Sequence, residues 1–306
     1  MPSWSLTTCQ AGAAAPGSRV AAIRRADGRF VIPDVLRKYD GLLEALNDWD
    51  TVAPLLRDLE PDELEPANVV ETLSLRHPRK LLCVGANHRD HVAEMGVQEI
   101  PDGTRPYFFT VPPTTTMVGD GEPILIPEGP ALRVDWEAEL AVVIGRGGRD
   151  IAPHEALHHV AGYACFNDIT ARGLLRREVA LAAPFAWDWL GSKGLDTFCP
   201  IGAVTPAWQV PDPDDLTIRC LVNGVVKQEA STENLITGIA ELVAAASASW
   251  TLEPGDVIAT GTPAGVGQSR GEQLSAGDEV RVEITGLAPL HNPVRHRSPS
   301  PLVKKP

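Results

Sequence analysis

Glu137 and Glu139 stand two residues apart in Val134-Asp-Trp-Glu-Ala-Glu-Leu and lead straight into an apolar run, Leu140-Ala-Val-Val-Ile-Gly145. The run reads as a buried β-strand entering a turn. On an extended chain, residues two apart point to one face, so both carboxylates aim at one place. Two like charges so close repel unless a cation sits between them, and hard divalent cations take oxygen ligands. The pattern points to a divalent metal on a β scaffold. A strand edge with both acids in water is the competing reading, and the doublet alone does not separate the two. A third acid, Asp168, follows in Gly162-Tyr-Ala-Cys-Phe-Asn-Asp-Ile-Thr-Ala-Arg172.

Other segments carry further chemistry. In Gly85-Ala-Asn-His-Arg-Asp-His-Val-Ala-Glu-Met-Gly96, a helix over 89–95 would put His91 and Glu94 on one face. A carboxylate that orients an imidazole raises its basicity and suits it to activate water; an incidental ion pair on a surface helix has the same spacing. Lys193 lies between Ser192 and Gly194, just before an apolar run, where a loop can approach a ligand. Thr260-Gly-Thr-Pro-Ala-Gly-Val-Gly267 follows a short apolar strand, and its glycines, Gly261 among them, let backbone amides come close to a ligand. It has no Gly-Lys-Ser/Thr ending and no G-x-G-x-x-G spacing, so nucleotide binding is rejected. His154-Glu-Ala-Leu-His158 matches the zinc-protease pattern H-E-x-x-H, but Pro153 places it in the first turn of its helix and no third ligand follows, so the match reads as chance.

Positioning these groups falls to a β-rich chain. Short apolar runs at 81–85, 123–127, 140–145, 199–204, 217–222, 256–260 and 279–284 alternate with Gly and Pro, and helices are expected at 89–95, 153–161, 170–182 and 233–249. Upstream, 19–24 and 28–32 read as a hairpin around Asp27-Gly28, followed by two short helices. The expected organisation is a disordered stretch at 1–18, a small N-terminal domain at 19–75, a catalytic domain at 78–286 and a disordered tail at 287–306. A net charge of −13 opposes a nucleic-acid footprint. No apolar stretch approaches the roughly 20 residues of a membrane helix, and no leader pattern opens the chain. The five cysteines are scattered without a CxxC pair, which suits buried free thiols in a reducing cytoplasm.

Taken in order, the segments resemble the fumarylacetoacetate hydrolase family over about residues 80–284. The matching motifs are Val84-Gly-x-Asn-His-x-x-His-x-x-Glu, Val134-Asp-Trp-Glu-Ala-Glu-Leu-Ala-Val-Val-Ile-Gly, Gly162-Tyr-x-x-x-Asn-Asp-Ile-Thr-Ala-Arg, Lys193-Gly-Leu-Asp-Thr-Phe-Cys-Pro-Ile-Gly and Gly261-Thr-Pro-Ala-Gly-Val-Gly. The resemblance implies metal ligands Glu137, Glu139 and Asp168, with Asp135 matching no ligand. It implies a catalytic His91–Glu94 dyad on a lid, and Lys193, Thr262 and Gly261 at the substrate. The implied fold is α+β and β-rich, a mixed β-sheet roll behind a small N-terminal domain, in a homodimer; composition adds the expectation of a cytoplasmic protein that binds neither nucleic acid nor membrane. The implied cofactor is Mg2+, or else Mn2+ or Ca2+. The implied activity is hydrolysis of a C–C bond in a 1,3-diketone or acylpyruvate-like keto acid, with water activated by the dyad. The alternative is a decarboxylase, hydratase or isomerase of a related 2-keto or 2-hydroxydienoic acid in aromatic catabolism; a silent metal- or ligand-binding protein is the third reading. Three departures from the family pattern stand out: Val111 where many members have Lys before Pro, Gly173-Leu-Leu175 after Thr-Ala-Arg, and His88 in place of a usual Tyr. They predict a substrate with a more apolar, less anionic tail than the simplest acylpyruvates; a strong preference for oxaloacetate would count against that.

Overall fold

The computed structural model describes residues 4–11, 18–128 and 132–297. A six-stranded sheet forms its centre, in the order Thr205–Pro206, Val160–Asn167, Ala138–Ile144, Val257–Ala259, Leu81–Gly85, Tyr107–Thr110. Only the Val257–Ala259 and Leu81–Gly85 strands of this sheet run parallel. Its middle strands read as near-continuous apolar runs because both faces are covered. Leu140, Val142 and Ile144 enter one core with Ile218, Val282 and Leu290 of a five-stranded sheet. Ala141 and Val143 turn the other way and meet Leu42, Leu46 and Trp49 of the N-terminal unit. The result is an α+β, β-rich fold of stacked mixed sheets.

Two ends of the chain differ from the expected disorder. Trp4–Ala11 is a strand paired with Arg19–Arg25 along seven residues. Its serines and threonines hid it: Thr8 Oγ1 donates to Ser74 O at 2.8 Å and accepts from Leu42 N at 2.9 Å, so a polar sequence is buried without loss of hydrogen bonds. At the other end, Leu290–His296 forms a strand between Glu279–Ile284 and Ile124–Ile126. Within the two stretches expected to be disordered, residues 1–3, 12–17 and 298–306 lie outside the described residues.

Helix expectations fared unevenly. Arg89–Glu94 and Ile239–Ser249 are helical. The expected helix at 170–182 is reduced to Arg172–Leu175. Downstream, the backbone pairs across an excursion instead: Arg177 N donates to Ala186 O at 2.8 Å and Asp188 N to Leu175 O at 2.9 Å. Tertiary pairing here overrides the helix propensity of an Ala-, Leu- and Arg-rich stretch. Pro153–His159 is a 3-10 helix, in which residues four apart do not share a face, and both His154 and His158 are exposed. That geometry disposes of the zinc-protease match.

The N-terminal unit is seated on the sheet by Trp49, which stacks on Trp208 at 5.9 Å and lies over Gly145. A Cβ at Gly145 would stand 2.4 Å from Trp49 Cδ1 and 2.9 Å from Ala161 Cβ. Gly145→Ala is therefore expected to cost about 1–3 kcal/mol of stability, read from the urea midpoint, with part of the loss recovered in Gly145→Ala/Trp49→Ala. An unchanged midpoint would show that the unit is not held at this contact.

Candidate active site

Six backbone segments converge at one end of the six-stranded sheet, and register explains most of it. Ala138 pairs with Asn167, so Glu137 and Asp168 fall opposite each other just beyond the ladder, and Asp168 N donates to Glu137 O at 2.9 Å. Ala141 pairs with Ala259 and Cys83 with Ala259, which brings Glu139, Gly261 and Gly85 to the same level. Gly85 in turn faces Tyr107. Glu137, Glu139, Ala141 and Val143 share a strand face by alternation. At this end the helix Arg89–Glu94 carries His91 and Glu94, and the short helix Trp189–Lys193 presents Lys193.

Three buried carboxylates, Glu137, Glu139 and Asp168, each offer an oxygen within 4.8 Å of the others. Glu139 accepts from Gly261 N at 2.8 Å. Gly261 has φ of 102°, and a Cβ there would lie 2.9 Å from Asn87 Cβ, so only glycine lets the amide reach the carboxylate. Lys193 Nζ, itself buried, donates to Glu137 at 2.8 Å, Asp168 at 2.7 Å and Thr170 Oγ1 at 2.7 Å. Arg172 Nη2 lies 2.5 Å from Glu137 Oε1, off the line of a hydrogen bond. Asp168 Oδ1 is buried with no protein partner. An all-oxygen set with an unused buried carboxylate oxygen fits a hard divalent cation.

Electrostatics divides the three acids. Burial works to raise Glu137, but Lys193, Arg172 and His91 outweigh it and hold it down at about 2. Burial, then the charges of Asp168 and Glu137, push Glu139 well above the usual carboxylate range. Burial and the Glu137 charge push Asp168 up to about 6 against the pull of Lys193. Burial alone would lower Lys193, yet Asp168 and Glu137 hold it above the ordinary lysine value, so the ammonium stays charged. Behind the triad, burial pushes the Cys83 and Cys199 thiols up, which opposes thiolate ligation. All five cysteines are buried and free.

Beside the triad, His91 Nδ1 meets Glu94 Oε2 at 3.0 Å. The other carboxylate oxygen of Glu94 accepts from Gly265 N at 2.9 Å and Ser269 Oγ at 2.5 Å, which ties the helix to the 261–269 loop. Thr262 Oγ1 donates to Ala138 O at 3.0 Å and accepts from Gln228 Nε2 at 2.8 Å. His91, Glu94, Lys193, Thr262 and the three acids all border one cavity of about 890 Å³.

Two residues that the sequence reading left without a role organise the centre. Asp135 accepts from Trp136 N at 2.8 Å, Gly267 N at 2.6 Å, Gln268 N at 3.0 Å and Arg172 Nε at 2.9 Å. It pins the 265–268 loop to the metal-facing strand. Arg172 links it to Glu137; an arginine placed directly after a buried run, among so many acids, was the available signal. Two expected pocket changes fall elsewhere. Val111 is buried in the core shared with the N-terminal unit, and His88 is buried with Nδ1 2.5 Å from Asp90 Oδ1; neither borders the cavity. Of the residues after Thr-Ala-Arg, Leu175 does border it.

With fold and site in place, comparison with known proteins gives the class. The family model described as Fumarylacetoacetate (FAA) hydrolase C-terminal matches residues 80–295, and the chain belongs to the fumarylacetoacetate hydrolase family. It is 40% identical to oxaloacetate tautomerase fahd2, mitochondrial, of Xenopus laevis over 76% of this chain and 70% of that protein. It is 38% identical to oxaloacetate tautomerase YisK of Bacillus subtilis over 71% of this chain and 69% of that protein. Among solved structures, fumarylpyruvate hydrolase from Pseudomonas aeruginosa in complex with Mn2+ and pyruvate is 31% identical, covering 74% of this chain and 92% of that one, with a TM-score of 0.63. A metal-binding enzyme of this family acting on small keto-acid or diketone substrates is supported, and a divalent cation suits the Glu137, Glu139 and Asp168 cluster. The expected C–C bond hydrolysis is corrected: curated relatives at 38–40% identity are named as tautomerases, and a His–Glu pair does not by itself dictate attack by water. No described helix is long and apolar enough to cross a membrane.

The raised carboxyls set a proton linkage. Asp168 at about 6 and the higher Glu139 bind protons in the folded metal-free protein at pH values where an unfolded carboxyl is ionised. Their ionisation therefore opposes folding as pH rises through the folded values. A cation needs both groups ionised, so its affinity falls as pH drops through the raised range of Glu139 and, below about 6, through that of Asp168 as well, approaching tenfold per pH unit per proton displaced. Calorimetry of Mn2+ binding at pH 5.5 in two buffers of different ionisation enthalpy should show release of at least one proton; a buffer-independent heat would contradict the assignment.

Proposed function

We propose that the chain is a metal-dependent isomerase that interconverts the keto and enol forms of a 2-keto acid, the reaction class for which the oxaloacetate tautomerases are named. The observation that supports it best is a buried three-carboxylate cluster sharing one cavity with a His91–Glu94 pair, in a chain 38–40% identical to such enzymes. Glu137, Glu139 and Asp168 are the proposed ligands. A Mg2+ or Mn2+ ion held there would supply Lewis-acid polarisation of the keto oxygen.

The chain's own residues then manage one proton. Glu94 engages His91 Nδ1 and leaves Nε2 as the basic nitrogen. His91 takes a proton from the carbon next to the keto group, and Glu94 stabilises the imidazolium that results. Lys193, held charged beside Glu137 and Asp168, offsets the negative charge that develops on the substrate oxygen. Return of the proton to that oxygen gives the enol, and the reverse sequence gives the keto form. No bond between heavy atoms is made or broken, and no water atom enters the product. Thr262 and Gly261 line the closing loop, where they position the substrate.

The test is stopped-flow decay of the enol absorbance of oxaloacetate with Mg2+- or Mn2+-loaded protein, against the free ion in the same buffer. Acceleration is expected, and His91→Ala should lower it by about 10²–10⁴-fold while Mn2+ still binds. No acceleration over the free ion would overturn the proposal, as would a product mass showing two carbon fragments with solvent oxygen in one.

A further inference from the structure

The cavity extends beyond its three carboxylates, and Tyr107, Phe109, Trp187 and Trp189 line that further part. Tyr107 and Phe109 alternate onto one face of their strand, while Phe108 turns back to pack edge-on against Trp250. Trp189 lies against both, with ring centroids 5.5 Å from Tyr107 and 5.2 Å from Phe109. The wall starts at the triad, since Lys193 Nζ is 5.6 Å from the Phe109 ring centroid. It ends at Tyr107, two residues and roughly 7 Å further along the strand. Trp187 also borders the cavity, with Arg176 packed on its ring at 5.8 Å. Gly85 makes room for the wall: a Cβ there would lie 3.2 Å from Tyr107 Cδ1 and 3.6 Å from Trp189.

From this geometry we infer that the aromatic wall is a specificity subsite for an aryl or comparably bulky apolar substituent on the keto acid, carried on the carbon beyond the keto group. The inference rests on the keto-acid reading of the metal end. A C4 dicarboxylate fills only that end and leaves the wall uncovered. It also directs its second carboxylate toward rings, where an unpaired charge loses hydration without compensation. The cations bordering the cavity are already committed, Lys193 to Glu137 and Asp168, and Arg172 to Asp135 and Glu137. The Thr262 and Ser269 hydroxyls donate to protein carbonyl and carboxylate oxygens. An aromatic ring, by contrast, gains tilted contacts with Tyr107, Phe109 and Trp189 of the kind they make with one another. Tyr107 and Trp187 are 53% and 54% exposed, so they stand ready to be covered by a ligand and can be truncated without opening the core.

The experiment compares kcat/KM for tautomerisation of phenylpyruvate and oxaloacetate by metal-loaded wild type, Tyr107→Ala and Trp187→Ala. It adds a fluorescence titration of Mg2+-loaded wild type and Tyr107→Ala with phenylpyruvate, read on Trp189 and its neighbours. Wild type is expected to favour phenylpyruvate by at least tenfold, and each variant to cut that preference by about tenfold, chiefly through KM. A wild-type preference for oxaloacetate, or a ratio unchanged in both variants, would overturn the subsite while leaving the tautomerase reading intact. Phenylpyruvate binding that weakens in Tyr107→Ala, with neither substrate isomerised, would do the reverse: the aryl subsite would stand and the tautomerase reading would fall.

Discussion

Glu137, Glu139 and Asp168 are 5%, 1% and 1% exposed, and that burial of like charge is the constraint the rest of the site answers to. Two unit charges 4 Å apart at an effective dielectric near 20 repel by about 4 kcal/mol. With Asp135 included, four acids crowd the end of one sheet. Lys193 and Arg172 supply two positive charges, and a divalent cation would supply the two that remain. The compensation is uneven, because both cations reach Glu137. That acid is held ionised, while Glu139 and Asp168 are pushed toward the protonated form. The unpartnered Asp168 Oδ1 marks the side on which compensation is missing.

Holding such a cluster demands a rigid frame, since a slip of one residue would turn the carboxylates to the opposite face. Burial of both faces of the Ala138–Ile144 strand prevents the slip. One face is locked by the core shared with the five-stranded sheet, the other by the N-terminal unit through Trp49 and its neighbours. The N-terminal unit thus backs the strand that carries the acids without lining the cavity itself. Asp135 extends the frame into the loops: by gathering the amides of Trp136, Gly267 and Gln268, it fixes the segment on which Gly265 and Ser269 hold Glu94. The metal-facing strand, the closing loop and the His91 helix are therefore one hydrogen-bonded unit.

Much of this was legible in the sequence because it follows from local rules. The i, i+2 spacing of Glu137 and Glu139 on an apolar strand, and the i, i+3 spacing of His91 and Glu94 on a short helix, need only the periodicities of the two structures. What escaped depended on long-range pairing. The Trp4–Ala11 strand is polar in composition and becomes a strand only because Ser74, Leu42 and Arg19–Arg25 satisfy it. The Leu290–His296 strand is interrupted by Pro293 and follows a Pro-containing turn, yet it pairs on both sides. The 172–188 excursion has the composition of a helix but bonds across itself. Val111 and His88 looked like pocket residues on a linear map, and the fold turned both into the core.

The substrate reading meets the same limit from the chemical side. A histidine oriented by a carboxylate is a base, and a base removes whichever proton is presented to it. In water activation that proton sits on oxygen; in tautomerisation it sits on the carbon beside a polarised carbonyl. The motif is identical for both, so the outcome is set by what occupies the space next to His91. The cavity that His91 borders is also lined by Phe109, Trp189 and Tyr107. A bound water needs two to four polar partners to repay its confinement, and the Thr262 and Ser269 hydroxyls and Lys193 are already engaged within the protein. An apolar substituent packed against the rings would exclude water further and leave the carbon acid as the proton donor within reach. On the proposed reading, rings that favour an aryl substituent would then also favour isomerisation over hydrolysis at the same dyad.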